Sequence, residues 1–574
     1  MQSKIHHASL MQNKYNAMLI SGMMGVILVS VALMSGTLVA GTFLGSQAVQ
    51  AVTLVSPLYS ICAFTSYLVS YGFPVLYSYA MGKMDRQEAD LIFGTALFLS
   101  VLIGIFNFAF LALAGSWYLR SYHPAPEVYA LAMQYLPGIR AAVLGLPLVC
   151  VMNGAVYADG DQLIYNIASV TQLVSTLVFS ALFCKIFGIA GISIGFAAPI
   201  WLASLICCAH LFRAGNTLKI GFRCSWRITL QIARYSLPDA SKCLFSALFT
   251  SVMNYYVAAR FGAGCILFVS AVQLIRDAET ALDSPGQGAA PILSVYLGEG
   301  SFSGVRNIYR TAEKSAVILG TLFLVLVFIF APVIPDILGA AEPALAFQIM
   351  SGVRILCLNA VFVALMFWLS SYYIVLGRVG LSVLMTGLYD SLIPILCSVL
   401  AGRFFGVYGW FFGLMIAPGL VFAGLRFVMH RLYGKEDARY LIKNREAGSF
   451  SQLYELDVTP QEIIRVRDEA GKYLLEKNIS SNTVNRCMLL IEEFFMLIYN
   501  RNGNDAVQGE CILNVSDKVD IIIRDSGTIL DLTDPDLSLD SIRAYIVPLV
   551  VDTMTTSRQH LSAIGFNRNR FVVK

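Results

Sequence analysis

Four ionisable residues stand where a chain this apolar should have none: Arg276, Asp277, Glu279 and Asp283. A charged side chain at the centre of a bilayer costs about 2.5–3.5 kcal/mol on insertion scales, so such groups are functional candidates by default. Positions 276, 279 and 283 follow i, i+3, i+7 and share one face of a helix. Asp283 falls near the middle of its span and precedes Ser284-Pro285-Gly286. Proline there removes a backbone hydrogen bond and kinks the helix, freeing carbonyls for a cavity. Acids on such a kink can carry a proton or hold a cation. Further candidates are Asp239 and Lys242 entering the next helix upstream, Asn254 within it, Arg354 and Asn359, and Asp390. Tyr67, Tyr71, Tyr255, Tyr256 and Trp368 offer polar or stacking surface. The competing reading is local neutralisation, with Arg276 paired to Glu279 at i+3.

The elements that must position these residues are membrane spans. The 574 residues are 57% hydrophobic and 13% charged, against about 45–50% and 25% in a soluble protein. Charge is uneven: residues 1–430 hold 37 charged residues, and the remaining 144 hold 39. A long apolar body is therefore followed by a soluble, slightly acidic tail. A span needs about 20 mostly apolar residues, and about twelve fit between residues 17 and 430. The connection 213–235 carries Arg213, Lys219, Arg223, Arg227 and Arg234 and no acid; 298–314 adds Arg306, Arg310 and Lys314. The positive-inside rule then predicts cytoplasmic termini. The polar start leads into a stretch too long for a cleaved signal peptide. The 12 cysteines form no CxxC and are expected as buried thiols.

Shifted by 216, the stretch Gly72–Ala96 overlays Gly288–Ala312, with identities at Gly72/Gly288, Ser78/Ser294, Gly82/Gly298, Ile92/Ile308, Thr95/Thr311 and Ala96/Ala312. Two halves in the same orientation predict a pseudo-two-fold along the membrane normal and a site between halves. At positions 60 through 67, which match 276–283, there is no charge. The ionisable set belongs to the second half; Arg140 is the main charge of the first.

Gly36-Thr-Leu-Val-Ala-Gly41-Thr-Phe-Leu-Gly45, followed by Ala48, Ala51, Pro57 and Leu58, resembles the first two helices of the multidrug and toxic compound extrusion (MATE) family. Gly82-Lys-Met-Asp-Arg-Gln-Glu-Ala89 and Gly286-Gln-Gly-Ala-Ala-Pro291-Ile292 resemble later segments of it. The resemblance implies an α-helical integral membrane protein with two six-helix lobes, 15–213 and 236–430, joined by a linker at 214–235 and preceded by a short terminus, 1–14. It implies export of cationic or neutral organic compounds by alternating access in a bacterial cell membrane, coupled to H+ or Na+. Many members carry an Asp where this chain has Gly36, and the first three spans here hold no acid. Coupling is therefore expected from Asp283, Glu279, Asp277, Arg276, Asp390, Arg354 and Asn254. A flippase for lipid-linked saccharides is the alternative transport reading.

After a polar linker, 431–450, the tail 451–574 alternates helix and strand patterns. Strands are expected at 451–457, 511–515, 519–524 and 570–573. Thr459-Pro460-Gln461-Glu462 is a capping box opening a helix to about Lys477. Further helices are expected at 482–499 and 540–556. Glu492-Glu493 late in a helix and Asp525-Ser-Gly527 after a strand resemble the GHKL ATPase fold, closest to anti-sigma-factor serine kinases. That resemblance implies an adenine-nucleotide site at Glu492, Glu493, Asp525 and Gly527. Its metal-binding Asn falls on Leu497, which cannot ligate Mg2+, and no glycine-rich lid appears between 532 and 564. The tail is expected to be degenerate, without catalysis, and to meet a nucleotide or a cytoplasmic protein. No catalytic residues, metal site or resident cofactor are expected, and no nucleic-acid partner. A sensor with an active kinase-like tail is the third reading.

Overall fold

The computed structural model describes residues 10–44, 46–121, 126–213, 216–219, 221, 224–262, 265–337, 342–433, 450–503, 505–515, 518–528, 551–559 and 566–573. The first half of the body contains α1 (Leu10–Phe43), α2 (Ser46–Ser70), α3 (Phe73–Gly82), α4 (Arg86–Ser121), α5 (Pro126–Asp159), α6 (Gln162–Phe187) and α7 (Ile189–Ala209). The second half contains α8 (Trp226–Phe261), α9 (Ile266–Glu279), α10 (Ser284–Gly298), α11 (Phe302–Phe330), α12 (Ile334–Ile337), α13 (Pro343–Leu356), α14 (Ala360–Val375), α15 (Val379–Gly387) and α16 (Ile393–Tyr433). Among the described residues seven helical stretches are long and apolar enough to cross a membrane, including Arg86–Arg120 and Phe302–Asp336. Their apolar side chains face outward as well as inward, as Leu113, Trp117, Ile318 and Phe405 do. A helix apolar all round is buried or in lipid, so this is a membrane protein.

Two apparent single spans are each broken into two helices. The stretch 50–80 divides into α2 and α3 at Tyr71-Gly72, and 264–297 divides into α9 and α10 around a 3-10 turn, Thr280–Asp283. Pro74 and Pro285 each lie in the first turn of the helix that follows, where a missing N–H costs nothing. The break at Gly72 is held against α8: its N–H donates to Ser236 Oγ at 2.7 Å, and a Cβ there would lie 2.4 Å from the Ile232 carbonyl. Helix α8 starts at Trp226, inside the stretch read as linker. α16 bends at Gly406, whose φ is 66°.

The tail is a five-stranded antiparallel sheet with β1 (Phe450–Asp457), β2 (Gln508–Val515), β3 (Val519–Asp525), β4 (Thr553–Gln559) and β5 (Phe566–Val573), in the order β1-β2-β3-β5-β4. Helices α17 (Pro460–Glu476) and α18 (Ser481–Asn502) cover one face. Thr459 caps α17 and Ser480 caps α18, each accepting from a backbone N–H. The expected helix at 540–556 gives way at its end to β4, which starts at Thr553; its residues 540–550 lie outside the described ones. Thr553, Thr555 and Thr556 favour a strand.

Alternation along the strands separates two faces. Cys511, Leu513, Val515, Ile521, Ile523, Phe571 and Val573 pack with the helices. Ile512 and Ile522 join instead the core of the membrane body, together with Leu10, Met11, Tyr296 and Tyr309. The tail thus docks its second face directly onto the body.

Candidate functional site

The ionisable residues of the second half gather around the two irregular turns. Asp283 ends the 3-10 turn between α9 and α10. Its Oδ2 lies 3.3 Å from Lys242 Nζ of α8, which contacts Asp239 Oδ1 at 2.6 Å. Gln287 Nε2 donates to Asp283 Oδ2 at 3.3 Å, and Ser371 Oγ of α14 donates to Oδ1 at 3.4 Å. Lys242 also lies 5.0 Å from the centre of the Phe367 ring. Gly286 is a packing requirement, because a Cβ there would meet Ser371 Oγ at 2.5 Å.

Asp390 sits in a single π-turn, Leu388–Leu392, between α15 and α16. Such turns recur at functional sites because the widened helix redirects a side chain. Arg276 Nη2 reaches it, donating to its carbonyl at 2.8 Å and pairing with Oδ1. The local pairing of Arg276 with Glu279 is therefore replaced by one 114 residues away, and Asp283 answers to Lys242 rather than Arg276. The Arg276 guanidinium also lies 4.0 Å from the Phe249 ring centre. Gln273 Nε2 donates to Asp277 Oδ1 at 2.8 Å. Glu279 is buried, and its Oε1 has no hydrogen-bond partner among the described residues. A buried carboxylate oxygen without a donor is costly when ionised.

Among the described residues, Asp239 and Asp283 pair with Lys242 and Asp390 pairs with Arg276, so three carboxylates meet two cations. Arg354 stands apart, 4.9 Å from the Phe328 ring centre. The side chain of Asn254 lies outside the described residues. Trp368 is not cavity surface: it is buried between Tyr309 and Tyr372, with ring centroids 5.4 and 5.6 Å away.

A cluster given no role from sequence lies at the end of the first half. His210 places Nδ1 2.9 Å from Asp161 Oδ2 and Nε2 2.8 Å from Asp159 Oδ2. An imidazole that donates from both nitrogens is protonated. Arg213 Nη1 adds 2.7 Å to Asp161, and Thr217 bonds to Asp159. Lys14 Nζ of α1 donates to the Gly160 carbonyl at 3.3 Å. Despite burial, hydrogen bonds from His210, Arg213 and the Ile164 N–H hold the Asp161 carboxyl well below the usual carboxylate range.

In the tail, Asp525 is buried and Oδ1 accepts from Gly527 N–H at 3.0 Å and Asn567 Nδ2 at 2.8 Å. Asn502 Oδ1 accepts from Thr528 N–H at 2.8 Å while its Nδ2 donates to Ile498 O, so it braces the turn. Glu492 pairs with Arg467 at 2.8 Å, and Glu493 follows it on the same helix. Leu497 lies in the tail core with Phe494 and Ile498.

The MatE family model matches residues 23–182. A structure described as the outward-facing conformation of a multidrug resistance MATE family transporter of the MOP superfamily is 17% identical, with a TM-score of 0.68, covering 74% of this chain and 96% of that one. A MATE structure in complex with MaL6 is 19% identical at a TM-score of 0.68, covering 74% and 98%. A MOP superfamily transporter from Pyrococcus furiosus, described as having a binding pocket of reverse polarity that suggests a different function, is 19% identical at a TM-score of 0.65, covering 73% and 96%. The chain therefore has the helical MATE-like transporter fold. Among curated proteins none matches significantly.

Proposed function

We propose that the chain is a secondary active transporter of two six-helix lobes. It exports cationic or neutral organic compounds by alternating access across a bacterial cell membrane, in exchange for H+ or Na+. Both termini and the tail lie on the cytoplasmic side, as the basic connection 213–235 argues. The observation that carries this reading is the acid excess built on the two irregular turns of the second lobe. Two carboxylates, Asp239 and Asp283, share the single ammonium of Lys242. One negative charge remains, and a proton, a sodium ion or an organic cation can each neutralise it. Occupants that compete for one charge are mutually exclusive, which is the requirement of exchange. Glu279, with its undonated oxygen, supplies a second proton position.

A flippase for anionic lipid carriers needs free cations in the cavity. Here Lys242 and Arg276 are both engaged by acids. For the tail we propose a degenerate GHKL-like domain, since Leu497 is a core residue and not a metal ligand.

The test is transport of a fluorescent organic cation into proteoliposomes under an imposed pH or sodium gradient. Asp283→Asn is expected to abolish coupling, lowering gradient-driven uptake at least about tenfold, the effect of removing one interaction of a buried charge. Unchanged uptake and unchanged coupling would overturn the assignment.

A further inference from the structure

The two lobes touch on the face that carries the tail. Gly82 ends α3 and Gly298 ends α10, and the two are 216 positions apart, so they are repeat partners. A Cβ on Gly298 would lie 2.4 Å from the Tyr79 carbonyl and 2.8 Å from Gly82 Cα. A Cβ on Gly82 would lie 2.5 Å from the Val295 carbonyl. Backbone meets backbone between the lobes here.

The tail covers this contact with charge. Arg568 of β5 donates from Nη1 to the Met81 carbonyl at 2.7 Å and from Nη2 to the Gly82 carbonyl, both at the C-terminus of α3. Its Nε lies 2.8 Å from Oε1 of Glu299, the residue that follows α10. One guanidinium therefore holds both lobes. Arg524 of β3 pairs with Glu299 Oε2 and, at 3.1 Å, with Glu510 of β2. Glu510 accepts from the Met11 N–H of α1 at 3.3 Å and from Tyr296 Oη of α10 at 3.3 Å. Asn514 Nδ2 donates to the Glu299 carbonyl at 2.8 Å. Arg524, Arg568, Glu299 and Glu510 are all at most 4% exposed. Two arginines and two glutamates balance in charge. A buried ionic set adds little net stability, but it fixes one geometry and rehydrates readily when parted.

We propose that the tail domain is a releasable clamp on the cytoplasmic gate: Arg568 and Arg524 fasten the first lobe at Met81-Gly82 to the second at Glu299, and the gate opens only when the sheet lifts from at least one lobe. This rests on the alternating-access reading, whose inward-facing state must separate Gly82 from Gly298. The docked tail then favours the state closed to the cytoplasm, and anything that binds the free tail face favours the open one.

Val295, whose carbonyl touches the Gly82 position, is the reporter. The full-length chain carrying Val295→Cys is placed in nanodiscs and exposed to a membrane-impermeant maleimide, and labelling of that peptide is followed by mass spectrometry. Adding Arg568→Gln is expected to raise the labelling rate about tenfold or more, the population shift that follows loss of a charge-assisted hydrogen bond. Arg570→Gln, on the same strand but paired with Asp520 inside the tail at 2.7 Å, is expected to leave the rate unchanged. If Arg568→Gln does not fold, Asn514→Ala loosens the same contact and is expected to raise the rate several-fold. Equal rates in the parent and in a folded clamp variant would overturn the clamp, as would an equal rise with Arg570→Gln. The readout requires no transported substrate. Failure of the clamp leaves the transport assignment standing, and absent transport in a chain whose gate responds counts only against the latter.

Discussion

At the scale of residues, Arg276 reaches Asp390 and Lys242 reaches Asp283, each from another helix. Arg276, Asp277, Glu279 and Asp283 stand out against an apolar background, and i+3 spacing suggests that Arg276 meets Glu279. The fold overrules that pairing because Asp390 is presented by a π-turn that no local pattern announces. Lys242 meets Asp283 across 41 positions because Asp283 is presented by the 3-10 turn between α9 and α10, which is equally silent in the local pattern. Glu279→Gln and Asp283→Asn are therefore expected to behave differently. Glu279→Gln removes a proton position that lacks a donor and should tolerate folding with little loss of thermal stability. Asp283→Asn leaves Lys242 with Asp239 alone and should lower the melting temperature in detergent as well as coupling; equal melting for both variants would contradict this. The cluster at His210 gives a pH prediction. Asp161 titrates well below its ordinary 3.8 in the folded chain. Its contribution is then complete above about pH 4 and is lost as pH falls further, through the interval between the unfolded and folded values. The difference in melting temperature between wild type and Asp161→Asn should be constant from about pH 6 to 5 and shrink below 4. A gap that widens on acidification would refute the sign.

At the scale of elements, the apolar spans and most tail elements follow from pattern, because long apolar runs and period-two alternation leave few alternatives. The breaks after Ser70 and Glu279 are less legible. Pro74 and Pro285 mark them, yet a proline in a membrane helix reads equally as a kink. The docked sheet face was hidden for a sharper reason. Glu510, Arg524 and Arg568 alternate with apolar residues, as a solvated face does, and nothing local says that another part of the chain covers it. The close helix approach at the gate is an element property and can be tested as one. Gly298→Ala places a methyl group 2.4 Å from a backbone carbonyl, so α3 and α10 must move apart, at a cost of about 1–3 kcal/mol for overpacking. Gly424→Ala meets nothing within 4 Å and replaces a helical glycine, which should stabilise by up to about 1 kcal/mol. Thermal unfolding in detergent separates the two, and similar melting of both variants would show that the lobes do not press together as described.

At the scale of the whole molecule, a MATE-like body and an α/β tail form one unit through a surface that either part alone would leave exposed. Without the tail, Glu299 and the carbonyls of Met81 and Gly82 turn to water, while Tyr296, Leu10 and Met11 lose Ile512 and Ile522. With the tail in place, Glu299 is a fully buried carboxylate flanked by two guanidiniums. Burial drives the Arg568 guanidinium down to about 10, with Glu299 opposing the shift, so it remains charged at neutral pH and the pairing holds across the physiological range. Removing one partner of a buried ion set strands the others, at about 3–5 kcal/mol. Glu299→Ala should therefore destabilise the full chain strongly, because Arg524 and Arg568 stay buried without their acid. The same substitution in a chain ending at residue 433 should be nearly neutral, because there is no longer an arginine to strand. Differential scanning fluorimetry on the four proteins measures this coupling directly. An equal loss in both backgrounds would mean that Glu299 serves the body alone and that the tail rests on it without being held.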